Sequence, residues 1–478
     1  MNYIKTLMEL SRLKKNAKLS ASQMKKLQNK KLRNLLHYAW QHSDYYRKAF
    51  EEAGIQENQL DTLPLSAFPT MDKKTLLWHF DEIITVSGLT QDALYEFDTN
   101  ARTDREAYLD QYHVVHSSGS TGKPGYFIYD NKAWNGMLLG IIRGALWGLS
   151  IFQIIRLLLS RPRVLYIAAT DGSYGGAMAV GDGIDGVGAK QMYLDINTPL
   201  VQWVETVCEF QPDIIIGYPS AIKILAELIA KGEVKADIKR IVSCGEPLSL
   251  GLRKYLTDIF HVPIINFYGA SESLALGIET GQENGMLLFD DLNVIEVEDG
   301  AMYLTCLYNY AQPLIRYHIT DHLVLREKTE DTPFTQAEIL LGRDEDLLWF
   351  ENEEGHRDFL HPLSVEGFCI EGLRDYQFLQ LSSNRFEMLA QAKEEAHHFI
   401  QQEMHLQMGK ILADKGLDYV HFSVHFVNHI LPDPNTGKKP LIITSEGYKR
   451  MGAKLEENQL AGDGLTKDKP TGREAVAV

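Results

Sequence analysis

The stretch His116-Ser117-Ser118-Gly119-Ser120-Thr121-Gly122-Lys123-Pro124 gathers two glycines, several hydroxyls and a lysine into one short loop. Glycines let the backbone curl so that N–H groups converge on an anion, while the hydroxyls add donors and Lys123 adds charge. This is chemistry for holding phosphate. It is not a Walker loop, because Ser117 stands where the first glycine is needed and Pro124 follows the lysine. Further along, Ile264 to Tyr268 runs into Gly269-Ala270-Ser271-Glu272, a carboxylate at a strand end where a magnesium ligand is useful. Cys244-Gly245-Glu246-Pro247-Leu248 ends the preceding strand in the same way. Leu314-Ile315-Arg316-Tyr317-His318-Ile319-Thr320-Asp321 offers an acid suited to two vicinal hydroxyls, and Leu341-Gly342-Arg343-Asp344 offers a fixed cation. Each segment alone is a weak signal; the ordered set is a strong one.

The elements that must carry these groups read as an α/β protein. Leu27, Leu32, Leu35 and Leu36 share one helical face, Gly54 suggests a stop, and Thr70-Met71-Asp72-Lys73 opens another helix. From about residue 110 to 290, apolar runs at 164–168, 213–217, 241–244 and 264–268 alternate with helices over 220–231 and 249–260. Such alternation demands crossover connections and a buried, largely parallel sheet, whose ligands bind at the carboxyl ends of the strands. Asn293 to Glu298, Asp299-Gly300 and Met302 to Leu307 predict a hairpin, with short strands at Leu314–Tyr317 and His322–Arg326. After Arg343-Asp344-Glu345-Asp346, strands near 376–381 and 420–427 flank a helix near 394–415.

The 478 residues are 45% hydrophobic and 10% aromatic, a globular composition with room for two or three domains. With 48 Lys+Arg against 64 Asp+Glu, the formal charge of −16 argues against nucleic-acid and membrane-surface binding. The basic residues from Lys14 to Arg33 read as a solvated helix face. The apolar run from Met137 to Leu159 holds Arg143 and Arg156, so it predicts a buried helix and no membrane span. No secretory signal is expected at Met1 to Leu19. Cys208, Cys244, Cys306 and Cys369 lie far apart and read as reduced thiols of a cytoplasmic protein. His421, His425 and His429 recur every fourth residue but read as surface or core histidines, and Met404 and Met408 as core packing.

The ordered set resembles the adenylate-forming superfamily of acyl-CoA synthetases, luciferases and peptide-synthetase adenylation domains. Leu32-Arg33-Asn34-Leu35-Leu36-His37-Tyr38-Ala39, Asp44-Tyr45-Tyr46-Arg47 and Leu63-Pro64 through Lys73-Lys74 look like the leader of its phenylacetate–CoA ligase branch. The resemblance spans about residues 25 to 440. It implies an adenylation domain over 1–343, with a helical leader at 1–75, mostly parallel sheets flanked by helices and a small barrel-like β region. It further implies a small mobile α+β lid over 344–456; residues 457–478 read as a disordered tail.

The implied reaction is AMP-forming ligation. A carboxylate attacks the α-phosphate of ATP to give an acyl-adenylate and pyrophosphate, and a thiol, usually coenzyme A, displaces AMP. On this resemblance Ser117, Ser118, Gly119, Ser120, Thr121, Gly122 and Lys123 hold phosphates, and Glu272 holds Mg²⁺ with Thr121 as a second contact. Gly245, Glu246, Pro247, Phe267, Tyr268 and Gly269 border the nucleotide, and Asp321 and Arg343 hold the ribose. Leu431 to Pro440 resembles the catalytic lysine loop of the lid; Lys438 is the assignment, with Lys439 as the alternative. A lysine suits the step because two anions must approach. Tyr174, Gly175, Tyr218 and Ala270 line the expected acyl pocket, whose aromatic walls suit an aromatic or unsaturated monocarboxylic acid. This chain departs from the usual Tyr-Arg-Thr-Gly/Arg-Asp ribose motif, reading Tyr317-His318-Ile319-Thr320-Asp321, and Pro440 follows Lys439. A carrier-protein phosphopantetheine or an amine as acceptor, a homodimer, and a nucleotide-binding regulatory protein without catalysis stay open.

Overall fold

In the computed structural model the described residues are 3–100, 107–116, 125–168, 179, 181–183, 188–195, 198, 200–246, 248–281, 285–326, 332–343, 348–351, 357–360, 365, 368, 370–414, 416–428, 430 and 440–444. The chain divides into two compact units, residues 1–341 and 342–478.

The first unit opens with α1 (Tyr3–Asn16), α2 (Ala21–His42) and α3 (Asp44–Glu52). Ser20 and Gln23 form a reciprocal capping box that starts α2. Ser43 caps α3, and Gly54 then turns the chain with φ of 75°. The apolar stripe of α2, Leu32, Leu35, Leu36 and Ala39, is buried as its spacing predicts. Asp72 caps α4 (Lys73–Trp78), which α5 (Phe80–Ile83) and α6 (Gln91–Asn100) follow. The leader is fastened to distant chain by polar clasps. The buried Tyr46 hydroxyl donates to the Pro313 carbonyl at 2.9 Å and accepts from the Ile315 N–H at 3.0 Å. Lys31 Nζ donates to the Asp291 carbonyl and Arg33 Nη1 to that of Leu60, so this part of the basic stretch is not a solvated face.

An antiparallel pair, β1 (Tyr112–His116) and β2 (Tyr126–Asp130), precedes α7 (Asn131–Ala145) and α8 (Ile151–Leu159). The apolar run from Met137 therefore forms two helices rather than one. Gly148 adopts φ of 80°, and the Ser150–Gln153 capping box restarts the chain. Among the described residues, no helix is long and apolar enough to cross a membrane.

The main sheet has nine strands in the order β13-β14-β9-β8-β7-β6-β5-β3-β4. Its parallel half is β3 (Arg163–Ala168), β4 (Lys190–Asp195), β5 (Ile214–Gly217), β6 (Arg240–Cys244) and β7 (Ile264–Ala270). The crossovers include α9 (Leu200–Phe210), α10 (Pro219–Ala230) and α11 (Leu250–Phe260). β5, β6 and β7 are mostly buried and mostly apolar because both their faces are covered. From β7 onward the sheet turns antiparallel, through β8 (Ser273–Glu279) and β9 (Met286–Leu288), so it is mixed.

β10 (Asn293–Glu298) and β11 (Ala301–Cys306) form the expected hairpin. Its turn residues Asp299 and Gly300 have φ of 51° and 81°, the positive pair that a tight primed turn requires. β12 is Tyr317–Ile319, not Leu314–Tyr317, and completes a three-stranded antiparallel sheet. The Leu314 carbonyl is taken by the Cys306 N–H and the Ile315 N–H by Tyr46, which leaves no ladder for a strand there. β13 (Asp321–Leu325) and β14 (Gln336–Arg343) return to the main sheet.

In the second unit β15 (Leu348–Glu351) pairs with β16 (Arg357–Leu360). A four-stranded sheet orders β19 (His421–Phe426), β18 (Arg385–Ala392), β17 (Leu373–Ser382) and β20 (Ile442–Thr444). α12 (His397–Asp414) contributes Met404 and Met408, both fully buried, to this unit's own core.

Among the described cysteines Cys208 is exposed, Cys306 is buried and Cys244 lies between. Burial, aided by the Glu246 charge, pushes the Cys244 thiol up to about 12. Burial pushes the Cys306 thiol up to about 11. Both stay protonated and inert at neutral pH. Iodoacetamide at pH 7.5 is therefore expected to label Cys208 well before Cys244 and Cys306, as peptide mass mapping would show. Early labelling of Cys306 would contradict this packing.

Candidate nucleotide site

β6 and β7 are neighbours in the parallel half, and their carboxyl ends carry the segments singled out by sequence. Gly245 follows β6 with φ of 80°, and a Cβ there would lie 2.6 Å from the Tyr218 ring. Only glycine leaves room for that ring at the strand end. Glu246 accepts from the Ser220 N–H at 3.2 Å, in the first turn of α10. Tyr218, Gly245 and Glu246 are thus brought together.

β7 continues into a tight hairpin. Ala270 pairs with Ser273, so Ser271 and Glu272 are the two turn residues, and the register shifts between Tyr268 and Ala270. Gly269 sits in that bulge, where a Cβ would meet the Leu274 carbonyl oxygen at 2.4 Å. The turn places the partly exposed Glu272 at the tip. Tyr129 of β2 fixes it from below, its hydroxyl donating to the Ser271 carbonyl at 2.9 Å.

Alternation along β7 separates its two aromatics. The Tyr268 hydroxyl donates to Asp321 Oδ2 at 2.7 Å, which joins the adenine and ribose candidates. Phe267 faces the opposite side and packs on Gly144 of α7 and on Phe289. It packs in the core, because a residue and its neighbour on a strand point to opposite faces. Arg316 is likewise turned away from Asp321. It is almost fully buried, its Nε lies 3.2 Å from Glu296 and its Nη2 2.5 Å from Glu298, and its Nη1 donates to the carbonyls of Ser66 and Phe68 at 2.9 Å. The arginine left in the divergent ribose motif is a structural clasp.

Sequence reasoning missed Tyr317, which is buried and near enough to Glu272 for that carboxylate to act on its phenol. Burial first, and then the charges of Glu272 and Asp72, push its phenol well above the ordinary value, so it remains a donor. Its signal was its place four residues before Asp321, matching Tyr268 before Glu272. Ser117 through Lys123, Tyr174, Gly175, Pro247, Lys438, Lys439 and the expected tail lie outside the described residues, as does the side chain of Arg343.

Glu272 suits magnesium: a hard carboxylate, with no cluster of three or more His, Cys, Asp or Glu positioned to hold an ion among the described residues. Magnesium commonly takes one or two carboxylates and completes its shell with phosphate and water. The same donor set does not suit zinc.

No family model matches the chain. The phenylacetate–coenzyme A ligase of Escherichia coli K12 is 25% identical over 355 residues, covering 69% of this chain and 73% of that enzyme. The phenylacetate–coenzyme A ligase of Thermus thermophilus is also 25% identical over 355 residues, covering 69% of this chain and 72% of its own. A 2-hydroxyisobutyryl-CoA ligase, solved in its postadenylation state with 2-HIB-AMP, matches with a TM-score of 0.68 and 19% identity, over 92% of this chain and 94% of that one. In sequence the chain is similar to phenylacetate–coenzyme A ligases, and in fold it is similar to a 2-hydroxyisobutyryl-CoA ligase.

Proposed function

We propose that this protein activates a small carboxylic acid with ATP and passes the acyl group to coenzyme A, with an aromatic or unsaturated acid as its substrate. The observation that carries the nucleotide half is the 2.7 Å bond from the Tyr268 hydroxyl to Asp321. Asp321 is thereby held beside the end of β7, where nucleotides bind in such sheets, and Glu272 stands on the turn that follows that strand.

Asp321 accepts from the ribose hydroxyls and so orients the sugar. Glu272 holds Mg²⁺, which when bound neutralises charge on the phosphates. Ser117 to Lys123 bind the β- and γ-phosphates, Arg343 the ribose, and Lys438 brings the acid to the α-phosphate. The chain contributes chiefly position and charge, since attack at phosphorus needs little covalent help. Tyr218, held against Gly245, supplies one wall of the acyl pocket, with Tyr174, Gly175 and Ala270. The flat face of Tyr218 supports an aromatic or unsaturated acid. The protonated, unpaired Cys244 and Cys306 support a cytoplasmic setting.

A panel of aryl, unsaturated, short and medium-chain acids with MgATP, each with and without coenzyme A, tests the assignment. The expected result is acyl-CoA and AMP, detected by mass, with aryl or unsaturated acids turned over fastest. Pyrophosphate release that gains nothing from coenzyme A would move the acceptor to a carrier protein or an amine. Best turnover of saturated acids would overturn the substrate class.

A further inference from the structure

The overall charge of −16 hides a local reversal. Between Asp130 and Asp171 the sequence has no acidic residue, yet it carries Lys132, Arg143, Arg156, Arg161 and Arg163. Helix α8 lies within this stretch. Its buried side, Ile154 and Leu158, shares a cluster with Leu139 and Ile142 of α7. Its other side presents Phe152, 86% exposed, and Leu159, 75% exposed. The half-buried Ile155 and the exposed Arg156 stand between them. At the helical period these four residues fall within about 100° of arc, an apolar stripe carrying one cation.

Immediately after Leu159 the chain borders a cleft of about 450 Å³, lined by Ser160, Arg161, Arg163, Lys190, Asp213 and Lys239. It lies at the amino ends of β6, β5, β3 and β4, successive neighbours in the main sheet. The candidate nucleotide residues lie at the opposite, carboxyl ends. Asp213 is the one acid in this lining among the described residues. It bonds Lys239 Nζ at 2.6 Å and lies 3.6 Å from Arg163 Nε. Four cations against one carboxylate leave a surplus of positive charge.

The stripe and the cleft ask for one partner. Exposed Phe and Leu gain from leaving water, and the adjoining cations gain from anions; the surface of an anionic bilayer supplies both. A free phosphate would occupy the cleft and leave the stripe in water. A second copy docked symmetrically would set Arg156 and Arg161 near their own counterparts, like charge against like. We propose that α8 and the basic cleft dock this protein on an anionic lipid surface. Phe152 and Leu159 enter the headgroup boundary, and Arg161 and Lys190 hold the anionic headgroups.

Flotation of the full chain with vesicles of phosphatidylcholine, alone or with about one third phosphatidylserine, tests this at low ionic strength. The wild type is expected to float with the mixed vesicles alone and to be released by about 0.5 M salt. Arg161→Gln with Lys190→Gln is expected to weaken that binding about 30-fold. Phe152→Ser with Leu159→Ser is expected to weaken it about ten-fold or more. Thermal melting checks each variant, and either pair decides by itself if the other fails to fold. A wild type that does not float, equal flotation with both vesicles, or a folded pair that binds as wild type would overturn the proposal. A dimer that Phe152→Ser with Leu159→Ser turns into monomer, with no flotation, would assign the stripe to a contact between copies and overturn it as well.

Discussion

Lys438→Ala is expected to lower acid-dependent adenylation by about 10²–10³-fold, the range seen when one preorganised charge or donor is removed from a developing oxyanion. The reason is Coulombic. A carboxylate must approach an α-phosphate that already carries negative charge, and without a cation between them the repulsion falls on the transition state. ATP binding, carried by the other phosphate and ribose contacts, is expected to stay within about three-fold of wild type. Thioester formation from a supplied acyl-adenylate is also expected to survive, because that half-reaction needs no approach of two anions. Lys439→Ala is the control that separates the neighbouring lysines. Single-turnover pyrophosphate release measures the first step, and unchanged release in Lys438→Ala would remove the assignment.

Arg143→Leu is expected to destabilise the first unit by about 3–5 kcal/mol, the usual cost of leaving a buried charge without its partner. Arg143 and Asp291 are both fully buried and meet in a two-pronged contact of 2.6 and 2.9 Å. The guanidinium also lies 4.3 Å over the Phe289 ring. Asn16 Nδ2 donates to the same Asp291 carboxylate at 2.8 Å, so the pair fastens α1 to the core. Chemical denaturation followed by tryptophan fluorescence is the measurement, and a shift below about 1 kcal/mol would contradict it. Replacing both partners, Arg143→Met with Asp291→Leu, is expected to recover much of the loss, since no lone charge then stays buried.

The same pair gives a pH dependence of defined sign. Burial works to raise the Asp291 carboxyl, but the charge and hydrogen bonds of Arg143, with the Asn16 amide, outweigh it and hold it below the ordinary value. A depressed carboxyl stabilises the fold above the unfolded-state value of about 4 and loses that contribution as pH falls through the folded-state value. Acid lability from this pair therefore belongs below about pH 4, and none of it near neutrality.

Much of the fold was legible because it is encoded locally. The runs at 164–168, 213–217, 241–244 and 264–268 are mostly apolar, and Asp299-Gly300 names its own turn. What escaped depends on partners far away in sequence. Lys31 looked solvated until the Asp291 carbonyl, 260 residues on, took its ammonium. Leu314-Ile315 has the side chains of a strand, yet Cys306 and Tyr46 occupy its backbone groups. The break between α7 and α8 was signalled by Ser150 and Gln153, a capping-box spacing hidden inside a hydrophobic run. At the site, residue types predicted Glu272 and Asp321 as candidate ligands. Period-two alternation already held the information that Phe267 and Tyr268 face opposite ways. The bond from Tyr268 to Asp321 could not be read, because it joins groups 53 residues apart in sequence.

Isotope exchange between pyrophosphate and ATP, run with each acid and without coenzyme A, bears most directly on the central claim of adenylation. Exchange that requires magnesium and one class of acid, with the acyl-adenylate found by mass, is the expected result. Nucleotide turnover that yields ADP and phosphate, or ATP binding with no exchange for any acid, would contradict it.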